Sequence, residues 1–209
     1  AAPKMGTFNL HGSLLPQYRG AAPINWALIN GDKETGVTTF MLKHEIDTGN
    51  IIMQESTPID ENENVGNVYD RLMHIGKTVV TRTVDLIIES ENTNTPLRTI
   101  PQTETTELRP APKLFKDTCE IHFDQMTATQ VKNFVRGLSP YPAAWCNMII
   151  AEQAFENVKI HAVEVLDGSH ISSKKDIIVR CKEGAVRIME LQVPGKKRMD
   201  VKSFLNGLH

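Results

Sequence analysis

Asn9 and His11 stand two residues apart at the end of a short extended-looking run, Thr7–Leu10. In a strand, residues at that spacing project to the same face, so an amide and an imidazole can reach one pocket while Leu10 packs inward. Both groups donate hydrogen bonds, and two donors converging on one point suit a developing oxyanion. Taken alone the pair is weak: Asn near a strand end is commonly a turn former, and a single His is commonly packed or solvated. Its surroundings strengthen it. Gly12-Ser13-Leu14-Leu15-Pro16 is an apolar, Pro-ended loop, and Arg19-Gly20-Ala21-Ala22-Pro23 leads into a helix. Small residues let the backbone approach a ligand, and Leu14, Leu15 and Pro16 can line a flat ring. Asp47, in an Asp-Thr-Gly turn just after a strand, occupies a common position for a functional carboxylate. Close to His11, it would favour the imidazolium form.

The elements positioning these residues follow from periodicity and turn chemistry. Pro23 suits the first turn of a helix over Ile24–Asn30, and Gly31 its end. Gly36–Lys43 and Asn50–Glu55 read as strands joined through Asp47-Thr48-Gly49. Val65, Val68, Leu72, Ile75, Val79, Ile87 and Ile88 recur three and four apart, predicting a helix from about Val65 to Glu89, with Gly76 as the one candidate break. These elements predict an α/β fragment in residues 1–90, with fewer strands than an independent doubly wound sheet carries. Residues 91–113, rich in Thr, Asn, Glu and Pro, read as a linker. Over 114–209 the pattern predicts a strand at Glu120–Phe123 and a helix at Thr127–Gly137 capped by Thr127. Strands at Trp145–Ile150, Val158–Val165, Asp176–Cys181 and Ala185–Gln192, then a short helix at Asp200–Asn206, make this part a small β-barrel.

Bulk properties exclude several classes. With 209 residues, 40% hydrophobic and 23% charged, the chain has material for a core. No run approaches the ~18 apolar residues of a membrane span, and no secretory signal is visible. Three cysteines without metal-ligand spacing fit a reducing compartment. Residues 1–112 carry 9 Lys/Arg against 14 Asp/Glu, whereas 113–209 carry 14 against 11. A positive second half hints at a polyanionic partner, and Lys196, Lys197, Arg198 and Lys202 form its densest basic cluster.

The string Asn9–Pro23, NLHGSLLPQYRGAAP, together with Glu45–Gly49, EIDTG, resembles the signature of the 10-formyltetrahydrofolate-dependent formyltransferases. That family has an Asn-x-His pair, an SLLP folate loop and a later Asp. His11-Gly12-Ser13, where glycinamide ribonucleotide enzymes typically have His-Pro-Ser, is similar to the methionyl-tRNA formyltransferase branch. Ala111-Pro112-Lys113-Leu114 and Ser139-Pro140-Tyr141-Pro142 through Trp145 extend the resemblance along nearly the whole chain.

The resemblance implies a partial Rossmann-like formyltransferase domain followed by an OB-like C-terminal barrel, with the beginning of the nucleotide-fold sheet not included. It implies formyl transfer from 10-formyltetrahydrofolate to the α-amine of initiator methionyl-tRNA, in the cytoplasm or an organelle, by a monomer needing no metal. Asn9 and protonated His11 would hold the oxyanion, with Asp47 polarising His11. Ser13, Leu14, Leu15, Pro16 and Arg19 would meet the folate, and the basic cluster the tRNA. Activity of this chain alone is expected to be weak or absent. The alternatives are a related transferase acting on a nucleotide-sugar amine, a formyltetrahydrofolate hydrolase, or a tRNA-binding piece without catalysis.

Overall fold

The computed structural model describes residues 3, 5–103, 107–166 and 176–208, so residues 104–106 of the expected linker lie outside it. The chain divides into two compact units: Ala1–Ala27, Asp32–Glu63 and Asn67–Lys113 form one, and Leu28–Gly31, Asn64–Gly66 and Leu114–His209 the other.

The first unit holds a three-stranded antiparallel sheet of β1 (Phe8–His11), β2 (Glu34–Met41) and β3 (Ile51–Pro58), in that order. β2 is central and buried along nearly its whole length, as its Val, Thr and Phe content favours. Its register places Asn9 opposite Phe40 and His11 opposite Thr38. Between β1 and β2 runs α1 (Pro23–Ile29), and Gly31 behind it has φ +75°, the left-handed geometry that ends helices.

Helix α2 (Val65–Thr93) continues through Gly76 without a break and ends later than the periodicity predicts. A Cβ at position 76 would lie 2.8 Å from Leu10 Cδ2, so the glycine admits the side chain of β1 against the helix. The ~1 kcal/mol helix cost of an internal Gly is thereby offset by packing. Val65, Val68, Leu72, Gly76, Val79 and Thr83 are the buried positions of α2. Thr83 Oγ1 bonds Thr39 Oγ1 at 2.8 Å, tying the helix to β2. Near its start, Arg71 pairs with Glu63 and donates to Thr57 Oγ1 and the Pro58 carbonyl at the end of β3.

The second unit opens with a 3-10 turn at Asp117–Cys119, and the strand expected over Glu120–Phe123 is reduced to one bridge from Glu120 to Trp145. Ile121 N donates to Trp145 O, but the His122 carbonyl then accepts from Gln125 and Met126. The turn at His122 takes the chain away after one bridge, which is why the strand does not form. Thr127 and Gln130 make a reciprocal capping box for α3 (Ala128–Leu138), a feature that contributes about 1 kcal/mol.

β4 (Ala144–Ile150), β5 (Gln153–Leu166), β6 (Ile177–Arg180), β7 (Ala185–Gln192) and β8 (Met199–Asp200) form one antiparallel sheet, ordered β4-β5-β7-β6 with β8 beside β7. Register shifts at Cys146/Met148, Ile160/Ala162 and Ala162/Val163 curl it into a half-barrel. Val131, Val135 and Leu138 of α3 share its core with Val158, Ile160, Val186, Ile188 and Leu191. Each such side chain contributes about 1.5–3 kcal/mol when fully buried. Asp200 caps the closing helix α4 (Val201–Asn206) by accepting from Ser203 N.

Candidate active site

His11 ends β1 with its side chain buried, its ring edge-on to Phe40 at 6.4 Å between centroids. Nε2 lies 2.8 Å from the Tyr18 carbonyl, which can only accept, so the proton sits on this nitrogen. Nδ1 faces Asp47 Oδ2 at 3.7 Å. Both groups facing the ring are therefore acceptors, and they fix its plane. Tyr18 reaches this position through a left-handed backbone, φ 62°, stabilised by its side chain. Its hydroxyl donates to Asp32 Oδ2 at 2.6 Å, and Arg109 reaches both Asp32 and that hydroxyl. The Tyr18 oxygen and the Asp32 carboxylate beside Arg109 raise the guanidinium above its ordinary range.

Asp47 also adopts a left-handed backbone, φ 55°, and its Oδ2 accepts from Gly20 N at 3.0 Å. Gly20 has φ +128°, and a Cβ there would stand 2.4 Å from the Ala111 carbonyl. Only glycine places this amide beside the carboxylate. The Asp47 turn is held from below by Gln102, whose Nε2 donates to the carbonyls of Asp47 and Gly49, each at 2.8 Å. Gln102 Oε1 in turn accepts from Arg19 Nε at 3.0 Å and NH2 at 2.6 Å.

Asn9 is exposed, and its Oδ1 accepts from Leu10 N at 2.9 Å. This leaves its amide NH2 as an outward donor on the strand that carries His11. Leu10, expected to pack inward, is 36% exposed and leans against Gly76. The loop after His11 is more internally satisfied than its sequence implies. Ser13 is fully buried, its hydroxyl donating to the Gln17 carbonyl at 2.6 Å. Leu15 packs in a small core with Phe40 and Ile51. Thr38 Oγ1 donates to Ser13 O and accepts from Leu15 N, while Gln54 Nε2 donates to Leu15 O. Leu14 and Pro16 remain half-buried, available to a ligand on their outer sides.

The structure thus brings His11, Asp47 and the Arg19 loop together. It adds Gln54 and Gln102, which no sequence pattern singles out, and gives Tyr18 and Gly20 of the signature string their partners. Gln102 lies in a stretch whose composition reads as linker, yet Ile100 exchanges both backbone hydrogen bonds with Ile51, and Ala111 N donates to Arg19 O. The backbone around Ile100 and Ala111 is laid against the site. In the second unit, Lys196, Lys197 and Lys202 are exposed, whereas Arg198 is engaged by Glu190.

Two family models match the chain. One described as "Formyl transferase" matches residues 1–84, and one described as "Formyl transferase, C-terminal domain" matches 113–209. The chain belongs to the formyl transferase family. Among similar proteins in this family is the methionyl-tRNA formyltransferase of Bacteroides fragilis, 50% identical over 99% of the chain and 65% of that protein's length. The methionyl-tRNA formyltransferase of Porphyromonas gingivalis is 47% identical over 98% of the chain and likewise 65% of its own length. The chain therefore spans about 65% of the curated relatives it matches. Solved structures share the fold at lower identity. The sugar 3N-formyl transferase WlaRD, solved with dTDP and 5-N-formyl-THF, has a TM-score of 0.66 at 23% identity, covering 91% of this chain and 66% of that one. HypX of Aquifex aeolicus, in complex with tetrahydrofolic acid, has a TM-score of 0.63 at 18% identity, covering 95% of this chain and 34% of that one.

Proposed function

We propose that the protein transfers a formyl group from 10-formyltetrahydrofolate to the α-amine of initiator methionyl-tRNA. The observation that carries the reading is the buried His11–Asp47 pair, 3.7 Å apart, on the strand that presents the Asn9 amide outward. The relatives named above favour this acceptor over a sugar amine.

In the proposed step the amine nitrogen attacks the formyl carbon, and the carbonyl electron pair moves onto oxygen. The Asn9 NH2 donates to that oxygen, and protonated His11 supplies the second donor after exchanging its Tyr18 contact for the substrate. Asp47 orients His11 and helps to relay the proton that the amine loses. Collapse breaks the bond to the folate nitrogen, which leaves protonated. Leu14, Pro16 and the Arg19 loop flank the folate, while Ser13 and Leu15 set the loop's shape from inside. Residues 1–90 are read as the C-terminal part of the catalytic domain, 91–113 as the connection and 114–209 as the tRNA-binding domain, with Lys196, Lys197 and Lys202 meeting phosphates. The reading places the protein in the cytoplasm as a monomer. No helix among the described residues is long and apolar enough to cross a membrane.

The test is a formylation assay on the full-length protein with labelled donor and one acceptor at a time: methionyl-initiator-tRNA, glycinamide ribonucleotide or water. Label is expected on the tRNA, and Asn9→Ala should lower its rate about 10²–10³-fold, the cost of one oxyanion donor. Label found only on the ribonucleotide, or only as formate, overturns the acceptor assignment.

A further inference from the structure

A pocket of about 600 Å³ opens in the second unit, lined by Phe115, Lys116, Tyr141, Trp145, Lys159 and Gln192 among others. Its size lies within the roughly 300–1,000 Å³ typical of small-ligand sites. Its wall is mostly apolar, and its rim is unusual for an ordinary surface. Tyr141 is 81% exposed, an aromatic face standing in water. Trp145 forms a half-buried part of the wall, its Nε1 fixed by the Lys116 carbonyl at 2.8 Å. Lys116 Nζ stands 5.1 Å from the centre of the Trp145 ring.

The charge of the lining is one-sided. Lys116 and Lys159 are its basic residues, and among the described residues no Asp or Glu lines it. The Val193-Pro194-Gly195-Lys196 turn, with Lys196 N bonded to Val193 O, forms another part of the wall. Gly195 has φ +78° and nothing within 4 Å of a would-be Cβ, so the turn leaves the mouth open beside Lys196 and Lys197. The Gln192 side-chain amide donates from Nε2 to Lys196 O, which fixes its position beside the turn. Aromatic faces, ammonium groups and an amide edge are the parts that hold an unstacked nucleotide: stacking for the base, cations for its phosphate, polar groups for its edge.

We infer that this pocket binds one unstacked nucleotide of single-stranded RNA, its base against Tyr141 and its phosphates toward Lys116 and Lys159. The inference deepens the tRNA-facing role proposed for this unit and rests on that reading for the identity of the strand. Its test needs no formyl transfer, so the two can fail separately.

The 209-residue chain carrying Trp26→Phe leaves Trp145 as its one indole. It is titrated with a single-stranded RNA trinucleotide, with inorganic phosphate as the control. The trinucleotide is expected to quench Trp145 fluorescence saturably, and phosphate to leave it unchanged. Tyr141→Ala should weaken binding about five- to a hundredfold, the range for losing one base–aromatic stack. Tyr141→Phe should retain it. Lys116→Gln and Lys159→Gln should each lower affinity and flatten its salt dependence by about 0.7 in log–log slope for each phosphate no longer neutralised. Absence of quenching at millimolar trinucleotide, quenching by phosphate alone, or binding indifferent to Tyr141→Ala overturns the inference. Tyr141 is so exposed that its removal does not touch the core, and an unchanged urea midpoint for Tyr141→Ala verifies this.

Discussion

Replacing Gln102 by Leu should loosen the Asp47 turn by a calculable amount. The side chain donates two hydrogen bonds, to the Asp47 and Gly49 carbonyls, and accepts two from the Arg19 guanidinium. Neutral bonds contribute about 1 kcal/mol each and charge-assisted ones about 1.5–3. Gln102 and Arg19 are half-buried, so water replaces part of what is lost and the lower end applies. With both Arg19 donors sharing the one Oε1 and counted as a single contact, the expected loss is about 3.5 kcal/mol. Urea unfolding followed by Trp26 fluorescence, with Trp145→Phe in the background, reports on the first unit alone, because Trp26 lies there and Trp145 in the second. Arg19→Met supplies the other corner of a double-mutant cycle and should cost less once Gln102 is Leu. A Gln102→Leu shift below about 0.5 kcal/mol, within the range of plain surface changes, would refute the reasoning. The Asp47 turn would then be held by its own backbone.

Gly49→Ala should abolish the Trp26-reported transition, because a Cβ there would fall 1.5 Å from the Met41 carbonyl oxygen. A cost under about 4 kcal/mol would be too small for such a backbone clash. Ala151 and Glu152 link β4 to β5 as a two-residue turn with φ 48° and 66°. Ala151→Asn with Glu152→Gly suits that geometry and should stabilise the second unit by about 1 kcal/mol, read from Trp145 fluorescence; an unchanged urea midpoint counts against it. Burial, with Glu120 nearby, pushes the Cys146 thiol from 9.0 up to about 12. The folded state thus keeps a proton that the unfolded chain releases, so stability should fall as pH rises from about 9 towards 12, by at most about 1.4 kcal/mol per pH unit. Cys146→Ala should flatten that slope in urea midpoints measured across the range, and an unaltered slope would refute the assignment. Burial, and then the positive charge of Arg198, hold the His161 imidazole below its ordinary 6.5. Here the unfolded chain binds the extra proton, so stability should be lost as pH falls through 6.5, and His161→Leu should reduce that loss in acid titrations monitored by Trp145.

The placement of His11 at the end of β1 and of Asp47 in a turn after β2 was legible because it depends on local rules. Residues two apart share a strand face, and an Asp-Thr-Gly turn follows a strand that its β-branched content already marks. The same holds for α2, whose apolar period identifies its buried face, and for α3, whose cap Thr127 marks its start. Family membership was legible as well, since fifteen contiguous residues, Asn9–Pro23, carry the signature.

Other features depended on partners far along the chain. The strand expected at Glu120–Phe123 did not form because the turn at His122 took the backbone away after one bridge. Leu15 went to the core because Phe40 and Ile51 meet it there, though its loop reads as a ligand wall. Gly20 reaches Asp47 across 27 residues, Gln102 reaches it across 55, and Arg19 finds Gln102 across 83. No local pattern encodes such pairs, because a hydrogen bond depends on where two segments meet and their separation along the chain leaves no periodicity. The sequence determined which groups are available for chemistry; only the tertiary structure decided which backbone oxygen His11 faces and which glutamine holds its carboxylate in place.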